Sequence, residues 1–305
     1  DPVLGYHSGM NGIFVPLPTP FREDGELELS LLSSLVGALN GHGLAGYLAL
    51  GSNGEAVHVD EDEAERVVAT VREAAAPGKV VLAGTGRLST RATIEATKRA
   101  AGAGADAALV VTPFFFKGSM TADTLVEHFT AVADASPIPV LFYNVPANTG
   151  VNASPAAVAR IGAHPNVAGV KDSSGDIGQL AELVRLAPAG KPFDVLSGNY
   201  GAALPGYSVG AVGAILAAAN VAPAECVAIR EAFLAGRLEE AMGLHLAMLP
   251  VARAVTSRFG VPGLKAALEM LGRPAGVPRR PLLPLAAEAR KELRENLFEA
   301  GLLSP

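Results

Sequence analysis

The stretch Ala107-Ala-Leu-Val-Val111 is an unbroken apolar run that ends where Thr112-Pro113 begins. Strands that are covered on both faces have this composition, whereas strands with one solvent-exposed face alternate apolar and polar residues. Val167-Ala-Gly-Val170 has the same character further along the chain. The two runs therefore predict strands of a parallel sheet that is buried between helices.

Short apolar or β-branched runs of this kind recur at residues 12–15, 45–50, 79–83, 107–111, 139–143, 167–170, 193–196 and 211–216. Apolar residues at helical spacing fill most of the intervals, for example at residues 61–75, 90–101, 121–133, 155–161 and 177–186. Thr121 and Ser154-Pro155 are typical helix starts, because a hydroxyl caps the first turn and proline fits its first position. An open doubly wound sheet has the same local pattern, but eight strands in succession favour closure into a barrel.

The pattern changes after the last of these runs, where helical segments follow one another without strands, at residues 223–235, 238–259, 263–271 and 286–300. We therefore expect an α/β fold, a (β/α)8 TIM barrel over residues 10–222, with a C-terminal helical extension over residues 223–305. Residues 1–9 contain neither the basic segment nor the apolar core of a signal peptide. We expect a tag remnant or a disordered start there.

Composition argues against several classes of partner. The chain has 305 residues, with 24 Lys and Arg against 30 Asp and Glu, and its basic residues are scattered, unlike those of a nucleic-acid-binding surface. No apolar run approaches the roughly 20 residues that a membrane-spanning helix needs. Cys226 is the single cysteine, and the six histidines lack the i, i+4 pairing typical of a metal site. We expect a cytoplasmic protein without a metal.

Three polar features lie at the ends of predicted strands. Lys171 directly follows the sixth run, Tyr143 ends the fifth, and Gly51-Ser-Asn-Gly-Glu55 follows the second. In (β/α)8 barrels the loops after the strands build the active site on one face. We therefore expect an amine, a phenol and a glycine-rich turn with a hydroxyl on the same face.

These residue types together are typical of imine chemistry. Burial favours the neutral form of a lysine, and a neutral amine attacks a carbonyl carbon to form a Schiff base. A phenol such as that of Tyr143 can move the protons that this reaction requires. The N–H groups of the turn can hold a small carboxylate, and Ser52 can pass a proton to Tyr143. In the structural alternatives, Lys171 faces solvent, Tyr143 is an aromatic plug and residues 51–55 are an ordinary turn.

Four motifs, in their order along the chain, resemble the dihydrodipicolinate synthase/N-acetylneuraminate lyase family: Gly51-Ser-Asn-Gly-Glu55, Val111-Thr-Pro-Phe114, Tyr143-Asn-Val-Pro146 and Gly169-Val-Lys-Asp172. The resemblance extends from Ile13 to Leu297. It implies a (β/α)8 barrel, class I lyase chemistry on pyruvate with a covalent imine and no metal or other cofactor, and a homotetramer that is a dimer of dimers.

The resemblance also implies roles for individual residues. Lys171 would form the Schiff base, and Tyr143 would be the proton-relay phenol. Two residues would bind the pyruvyl carboxylate, namely Ser52 and Asn53. Two more would line the pocket from the last two strands, namely Gly198 and Ile215.

Asn148 determines which substrate we expect. In the lysine-pathway synthase of this family, an arginine at this position holds the distal carboxylate of the aldehyde substrate, and an amide cannot replace a bidentate guanidinium. The segments around Asn148 and from Ser257 to Lys265 are similar to 4-hydroxy-2-oxoglutarate aldolases, which implies pyruvate and glyoxylate as products. Ser173 would then contact the far end of the substrate or, alternatively, cap the helix that follows.

Phe115 is compatible with functions other than that of a 4-hydroxy-2-oxoglutarate aldolase. Family members commonly have a tyrosine here that reaches into the relay of a neighbouring subunit, and a phenyl ring cannot transfer a proton. Phe115 therefore leaves two alternatives, a sugar-acid (2-keto-3-deoxy acid) aldolase or dehydratase and a non-catalytic member that binds 2-oxo acids. A dihydrodipicolinate (4-hydroxy-tetrahydrodipicolinate) synthase, which Asn148 disfavours, is the other alternative in the family. A divalent-metal aldolase is a further alternative outside the imine class.

Overall fold

The structure, a computed structural model, describes residues 9–304. One parallel sheet closes into a barrel in sequence order, with the strands β1 (Gly12–Pro16), β2 (Gly46–Ala49), β3 (Val80–Gly84), β4 (Ala107–Val111), β5 (Val140–Asn144), β6 (Val167–Asp172), β7 (Asp194–Ser197) and β8 (Gly213–Ile215). The predicted (β/α)8 barrel is confirmed. The start predicted for residues 1–9 lies, except for Gly9, outside the described residues.

Helices alternate with these strands and continue after β8. They are α1 (Leu29–Leu39), α2 (Glu61–Ala74), α3 (Thr90–Gly102), α4 (Ala122–Ala135), α5 (Pro146–Thr149), α6 (Pro155–Gly162), α7 (Ile177–Arg185), α8 (Tyr200–Ser208), α9 (Pro223–Leu234), α10 (Leu238–Arg253), α11 (Gly260–Met270) and α12 (Ala287–Glu299). The helices α9 to α12 form the C-terminal extension that the sequence predicts.

Local sequence determines where several helices begin. The Thr121 hydroxyl accepts a hydrogen bond from the Thr124 N–H at the start of α4, and the Ser154 hydroxyl accepts one from the Ala157 N–H at the start of α6. Each bond satisfies an N–H group that has no partner within its helix. Both predicted starts are confirmed.

Other boundaries depend on more than local pattern. Apolar periodicity does not predict α8, which contains Pro205 and two glycines and is nevertheless helical, with Asn199 as its N-cap. The helix predicted over residues 238–259 is α10 followed by a π-helical turn at Ala254–Arg258. Packing of these segments outweighs their intrinsic helix propensity.

The pairing of β5 with β6 positions the two residues of greatest chemical interest. Tyr143 and Lys171 are register partners on these neighbouring strands. Both strands extend beyond the predicted apolar runs, because backbone hydrogen bonding continues through polar residues, and Asn144 and Asp172 still pair. Lys171 and Tyr143 therefore lie inside the strand ends rather than in the loops that follow.

The described residues divide into two compact units. One consists of residues 9–12 and Leu82–Ile215, and the other consists of Ile13–Val81 and residues 216–304. The first unit contains Lys171 and Tyr143, and the second contains the turn from Gly51 to Glu55. The boundary that the sequence analysis sets at residue 222 stays a prediction.

Candidate active site

Lys171 is buried beside the ring of Tyr143. Its side chain and that of Tyr143 are only 4% and 6% exposed, and Lys171 Nζ lies 4.2 Å from the centroid of the Tyr143 ring. The alternative in which Lys171 faces bulk solvent is therefore wrong. The register therefore places the Lys171 amine against the aromatic ring of Tyr143.

Gly198 leaves the space in which the Lys171 side chain lies. A Cβ atom at this position would come 2.8 Å from Lys171 Cε and 2.0 Å from Ser173 Oγ. Contacts this close do not occur in folded proteins, so a side chain at position 198 would displace one or both residues. The backbone of Gly198 therefore lies against both side chains, and the pocket-lining role expected of Gly198 stays a prediction.

Ser173 has a buried hydroxyl that no described residue satisfies with a hydrogen bond. The alternative in which Ser173 caps the next helix is wrong, because the N-cap of α7 is Asp176, whose side chain accepts from the Gln179 N–H. An unsatisfied buried hydroxyl costs roughly 1–3 kcal/mol.

Asp172 is the site residue that the sequence analysis does not identify. Its carboxylate is 2% exposed and accepts hydrogen bonds from Asn144 Nδ2 at 2.7 Å, Gln179 Nε2 at 2.9 Å and the Ser174 hydroxyl. These bonds tie the end of β6 to the end of β5 and to α7, and thereby fix the backbone beside Lys171. The available signal was an acidic residue directly after the lysine in an otherwise apolar strand.

The remaining predicted residues of this unit differ in burial. Ile215 is the last residue of β8 and is 1% exposed. Asn148 lies on the short helix α5 and is exposed, as is Phe115, which packs edge-on against the equally exposed Phe116. Asn148 and Phe115 are therefore accessible and Ile215 is not, and the roles expected of Ile215 and Asn148 stay predictions.

The turn from Gly51 to Glu55 lies in the other unit and has an unusual backbone. Ser52–Gly54 forms a single 3-10 turn, flanked by Leu50 with φ 57° and Glu55 with φ 52°. A left-handed conformation costs a non-glycine residue about 1–2 kcal/mol, so surrounding contacts must hold it. Within the turn, Ser52 is exposed and Asn53 is half-buried.

Glu55 receives those contacts from the C-terminal region. Its carboxylate is bonded to Lys265 Nζ at 2.7 Å and accepts from the Arg279 N–H at 2.9 Å. The two charged side chains are 1% and 2% exposed, so this is a buried ion pair. Burial lowers the pKa of Lys265 to about 8, while the charge of Glu55 raises it and that of Arg279 lowers it further.

No group of three or more His, Cys, Asp or Glu side chains in residues 9–304 is arranged to hold a metal ion.

Within residues 9–304 no helix is both long enough and apolar enough to span a bilayer.

Comparisons with known proteins agree on one family. The profile of the dihydrodipicolinate synthetase family matches residues 9–300. A 4-hydroxy-tetrahydrodipicolinate synthase from Exiguobacterium sp. is 39% identical over 282 residues, which are 92% of this chain and 95% of that protein.

Two solved structures of similar proteins cover almost the whole chain. The chloride-inhibited dihydrodipicolinate synthase of Acinetobacter baumannii, complexed with pyruvate, superposes with a TM-score of 0.91 at 32% identity and covers 96% of this chain and 100% of that chain. The enzyme of Cyanidioschyzon merolae with lysine bound gives a TM-score of 0.92 at 31% identity and covers 98% of this chain and 100% of that chain.

Proposed function

The chain belongs to the dihydrodipicolinate synthetase family, whose members are class I lyases that form a lysine–pyruvate imine without a metal, and we propose that it cleaves or forms a 4-hydroxy-2-oxo acid. The proposed substrate is 4-hydroxy-2-oxoglutarate, with pyruvate and glyoxylate as products. The observation that carries the proposal is the buried Lys171 amine beside the Tyr143 ring.

In the proposed reaction Lys171 is the nucleophile. Its neutral amine adds to the C2 carbonyl of the substrate, and loss of water from the carbinolamine gives the imine. Removal of the proton from the 4-hydroxyl then breaks the C3–C4 bond, which releases glyoxylate and leaves the electron pair in an enamine. Protonation at C3 and addition of water to the imine release pyruvate and restore the amine.

Tyr143 is the proposed proton carrier for these steps. Its phenol accepts and donates the protons at the carbinolamine and at the 4-hydroxyl, as positioned side chains do in general acid–base catalysis. Phe115 cannot contribute a proton, so we propose that Ser52, Tyr143 and water complete the relay.

We propose that the pyruvyl carboxylate is bound by Ser52 and Asn53. Their turn offers a hydroxyl, an amide and closely spaced N–H groups, which suit a small anion. Gly198 and Ile215 would line the pocket around the methylene carbon, and Gly198 would leave space there because it has no side chain. These roles follow from family membership and from the residue types.

Ser173 and Asn148 support the choice of substrate. The unsatisfied hydroxyl of Ser173 lies against the same glycine as the Lys171 side chain and can donate to the distal carboxylate of 4-hydroxy-2-oxoglutarate. Asn148 has no guanidinium group, so it cannot form the paired hydrogen bonds that would hold the distal carboxylate of the aldehyde substrate of the lysine-pathway synthase.

The second candidate is 4-hydroxy-tetrahydrodipicolinate synthase, in which the pyruvate enamine condenses with an aldehyde. The comparisons favour this candidate, because the similar proteins described above carry this name or that of dihydrodipicolinate synthase. Both reactions use the same imine, so they differ only in the second substrate. Sugar-acid aldolases or dehydratases would share the imine as well.

Reductive trapping tests the imine, which is common to these candidates. Borohydride with pyruvate should add a covalent mass to the peptide that contains Lys171, and the variant Lys171→Arg should not be labelled. A wild-type protein that stays unlabelled would disprove the imine mechanism. Activity that a chelator abolishes and borohydride does not affect would instead support a metal aldolase.

Substrate assays then decide between the two reactions. The proposal expects pyruvate and glyoxylate from 4-hydroxy-2-oxoglutarate at a kcat/KM about tenfold or more above that for condensation with the lysine-pathway aldehyde. Asn148 cannot pair with the distal carboxylate of that aldehyde, and a hydrogen bond between charged groups contributes about 1.5–3 kcal/mol. The reverse ratio would establish the synthase. Labelling by pyruvate without turnover of any substrate would indicate a non-catalytic binding protein.

We also propose that the chain works in the cytoplasm as a homotetramer. The exposed aromatic pair Phe115 and Phe116 supports an oligomer, because large exposed apolar groups next to each other often mark subunit contacts. A lone buried cysteine fits a reducing compartment.

A further inference from the structure

Among the described residues two lysines are buried, and the proposed reaction uses only Lys171. The other, Lys265, is on α11. Its ammonium group donates to three acceptors at 2.7 Å each, namely the Glu55 carboxylate and the carbonyl oxygens of Thr19 and Val277. It also lies 4.7 Å from the centroid of the Phe21 ring. All three ammonium protons are therefore committed to fixed partners.

Two of these partners, Glu55 and Thr19, belong to or contact the turn from Gly51 to Glu55. The Thr19 hydroxyl donates to the Gly54 carbonyl oxygen at 2.6 Å, and the Thr19 carbonyl oxygen accepts from Lys265. Thr19 thus restrains Gly54, and Lys265 restrains Glu55, the residue with the left-handed backbone at the end of the turn. The exposed Ser52 and the half-buried Asn53 lie near the beginning of the turn.

We propose that Glu55 and Lys265 are positioning residues for the carboxylate of pyruvate. Their ion pair holds Glu55 in the left-handed conformation, and that conformation fixes the direction of the Ser52 and Asn53 groups. This inference rests on the carboxylate-binding role proposed for Ser52 and Asn53. Glu55 and Lys265 should therefore affect the affinity for pyruvate. They should not affect the attack of the Lys171 amine on the bound carbonyl.

Stability alone is a poor explanation for this pair. Replacing a buried ion pair by well-packed neutral residues is often neutral or stabilising, because desolvation of both charges offsets their attraction. A backbone that is held away from its preferred conformation, in contrast, requires strong and directional contacts. Glu55 provides such a contact through two oxygens, one to Lys265 and one to the Arg279 N–H.

The test compares wild-type protein with the double variant Glu55→Gln/Lys265→Met, which removes both charges at similar volume. Each protein is treated with borohydride over a range of pyruvate concentrations, and the labelled fraction of Lys171 is measured by mass spectrometry. We expect the half-saturating pyruvate concentration to rise about tenfold, as for the loss of one hydrogen bond to a charged group, with the maximum label unchanged.

Glu269→Gln is the matched control. Glu269 is on the same helix α11 and forms an exposed ion pair with Arg290, which does not involve the turn. Its half-saturating concentration should equal that of the wild type. If the half-saturating pyruvate concentration also rose in Glu269→Gln, any change of charge on α11 would weaken pyruvate binding, and the proposal would be overturned.

A milder variant keeps the test decisive if the double variant does not fold. Thr19→Val preserves shape and removes the hydroxyl that donates to Gly54. It should raise the half-saturating concentration by about twofold to tenfold, since a neutral hydrogen bond contributes roughly 0.5–1.5 kcal/mol.

Two results would overturn the proposal: an unchanged half-saturating concentration in a folded variant, or a lower maximum label at an unchanged half-saturating concentration. Failure of the proposed function looks different, because wild-type protein would then remain unlabelled at every pyruvate concentration.

Discussion

At the residue scale, Lys171 lies beside a residue without a side chain and beside a hydroxyl without a hydrogen-bond partner among the described residues. Gly198 has no side chain, so the Lys171 side chain can lie against its backbone just after β7, and the Ser173 hydroxyl has no hydrogen-bond partner among the described residues. Asp172, next in sequence, is in contrast fully engaged by amide and hydroxyl donors. The proposed substrate contacts, the Lys171 amine and the Ser173 hydroxyl, therefore lie beside a carboxylate that holds the ends of β5 and β6 together.

The variant Gly198→Ala should impair imine formation. Its Cβ atom would lie too close to Lys171 and Ser173, and the bond from the Gly198 N–H to the Asp172 carbonyl oxygen, at 2.7 Å, resists retreat of the backbone. We expect the rate of labelling with pyruvate and borohydride to fall by about a hundredfold, as for a displacement of 1 Å in an active site.

Gly37→Ala is the control for this prediction, because a Cβ atom at Gly37 on α1 meets nothing within 4 Å. The double variant Gly198→Ala/Ser173→Ala removes the closest contact and should recover part of the rate. If Gly198→Ala is labelled as fast as the wild type, the lysine does not depend on the space at position 198.

At the element scale, the contact of α3 with α4 contains a histidine that is buried in its neutral form. His128 on α4 lies 2.9 Å from the Thr90 hydroxyl through Nδ1, while its buried Nε2 has no partner among the described residues. Burial lowers the pKa of His128 from 6.5 to about 4. Between about pH 4 and pH 6.5, His128 therefore binds a proton in the unfolded chain but not in the folded protein.

Acid should weaken the fold through this residue. Below pH 6.5 the unfolded chain protonates His128 and the folded chain does not until about pH 4, so the free energy of unfolding falls over this range, by roughly 3 kcal/mol in total. In the variant His128→Gln this loss should disappear. Urea unfolding at pH 7 and pH 4.5 measures the difference.

The half-buried His42 provides a control, because His42→Gln should retain the acid dependence of the wild type. Equal losses of stability in the wild type and in His128→Gln would contradict the assignment of acid sensitivity to the contact between α3 and α4.

At the scale of the whole molecule, the exposed pair Phe115 and Phe116 bears on assembly. Each ring is 71% exposed, although together they form an edge-on aromatic pair. The double change Phe115→Ser/Phe116→Ser should produce a smaller species in sedimentation velocity, because it removes the apolar surface that a second copy of the chain would cover.

Leu88→Ser is a suitable comparison, since Leu88 is a single apolar side chain at 54% exposure. It should sediment as the wild type does. An unchanged sedimentation coefficient for the phenylalanine variant would place the subunit contact elsewhere.

Sequence by itself determined the parts of this protein that depend on local pattern. The apolar run from Ala107 to Val111 coincides with β4, the hydroxyls of Thr121 and Ser154 begin helices, and eight strands in succession indicated a closed barrel. Such features depend on side-chain spacing over a few residues, and that spacing can be recognised without knowing the rest of the fold.

Only the tertiary structure decided which groups meet. Glu55 and Lys265 are 210 positions apart in sequence and form an ion pair, and Ser173, a plausible helix cap by sequence, is instead an unsatisfied buried hydroxyl. Burial and hydrogen-bond partners arise from packing between distant segments, and no local pattern records them. The conformation of the turn and the surroundings of the lysine therefore had to be seen in three dimensions.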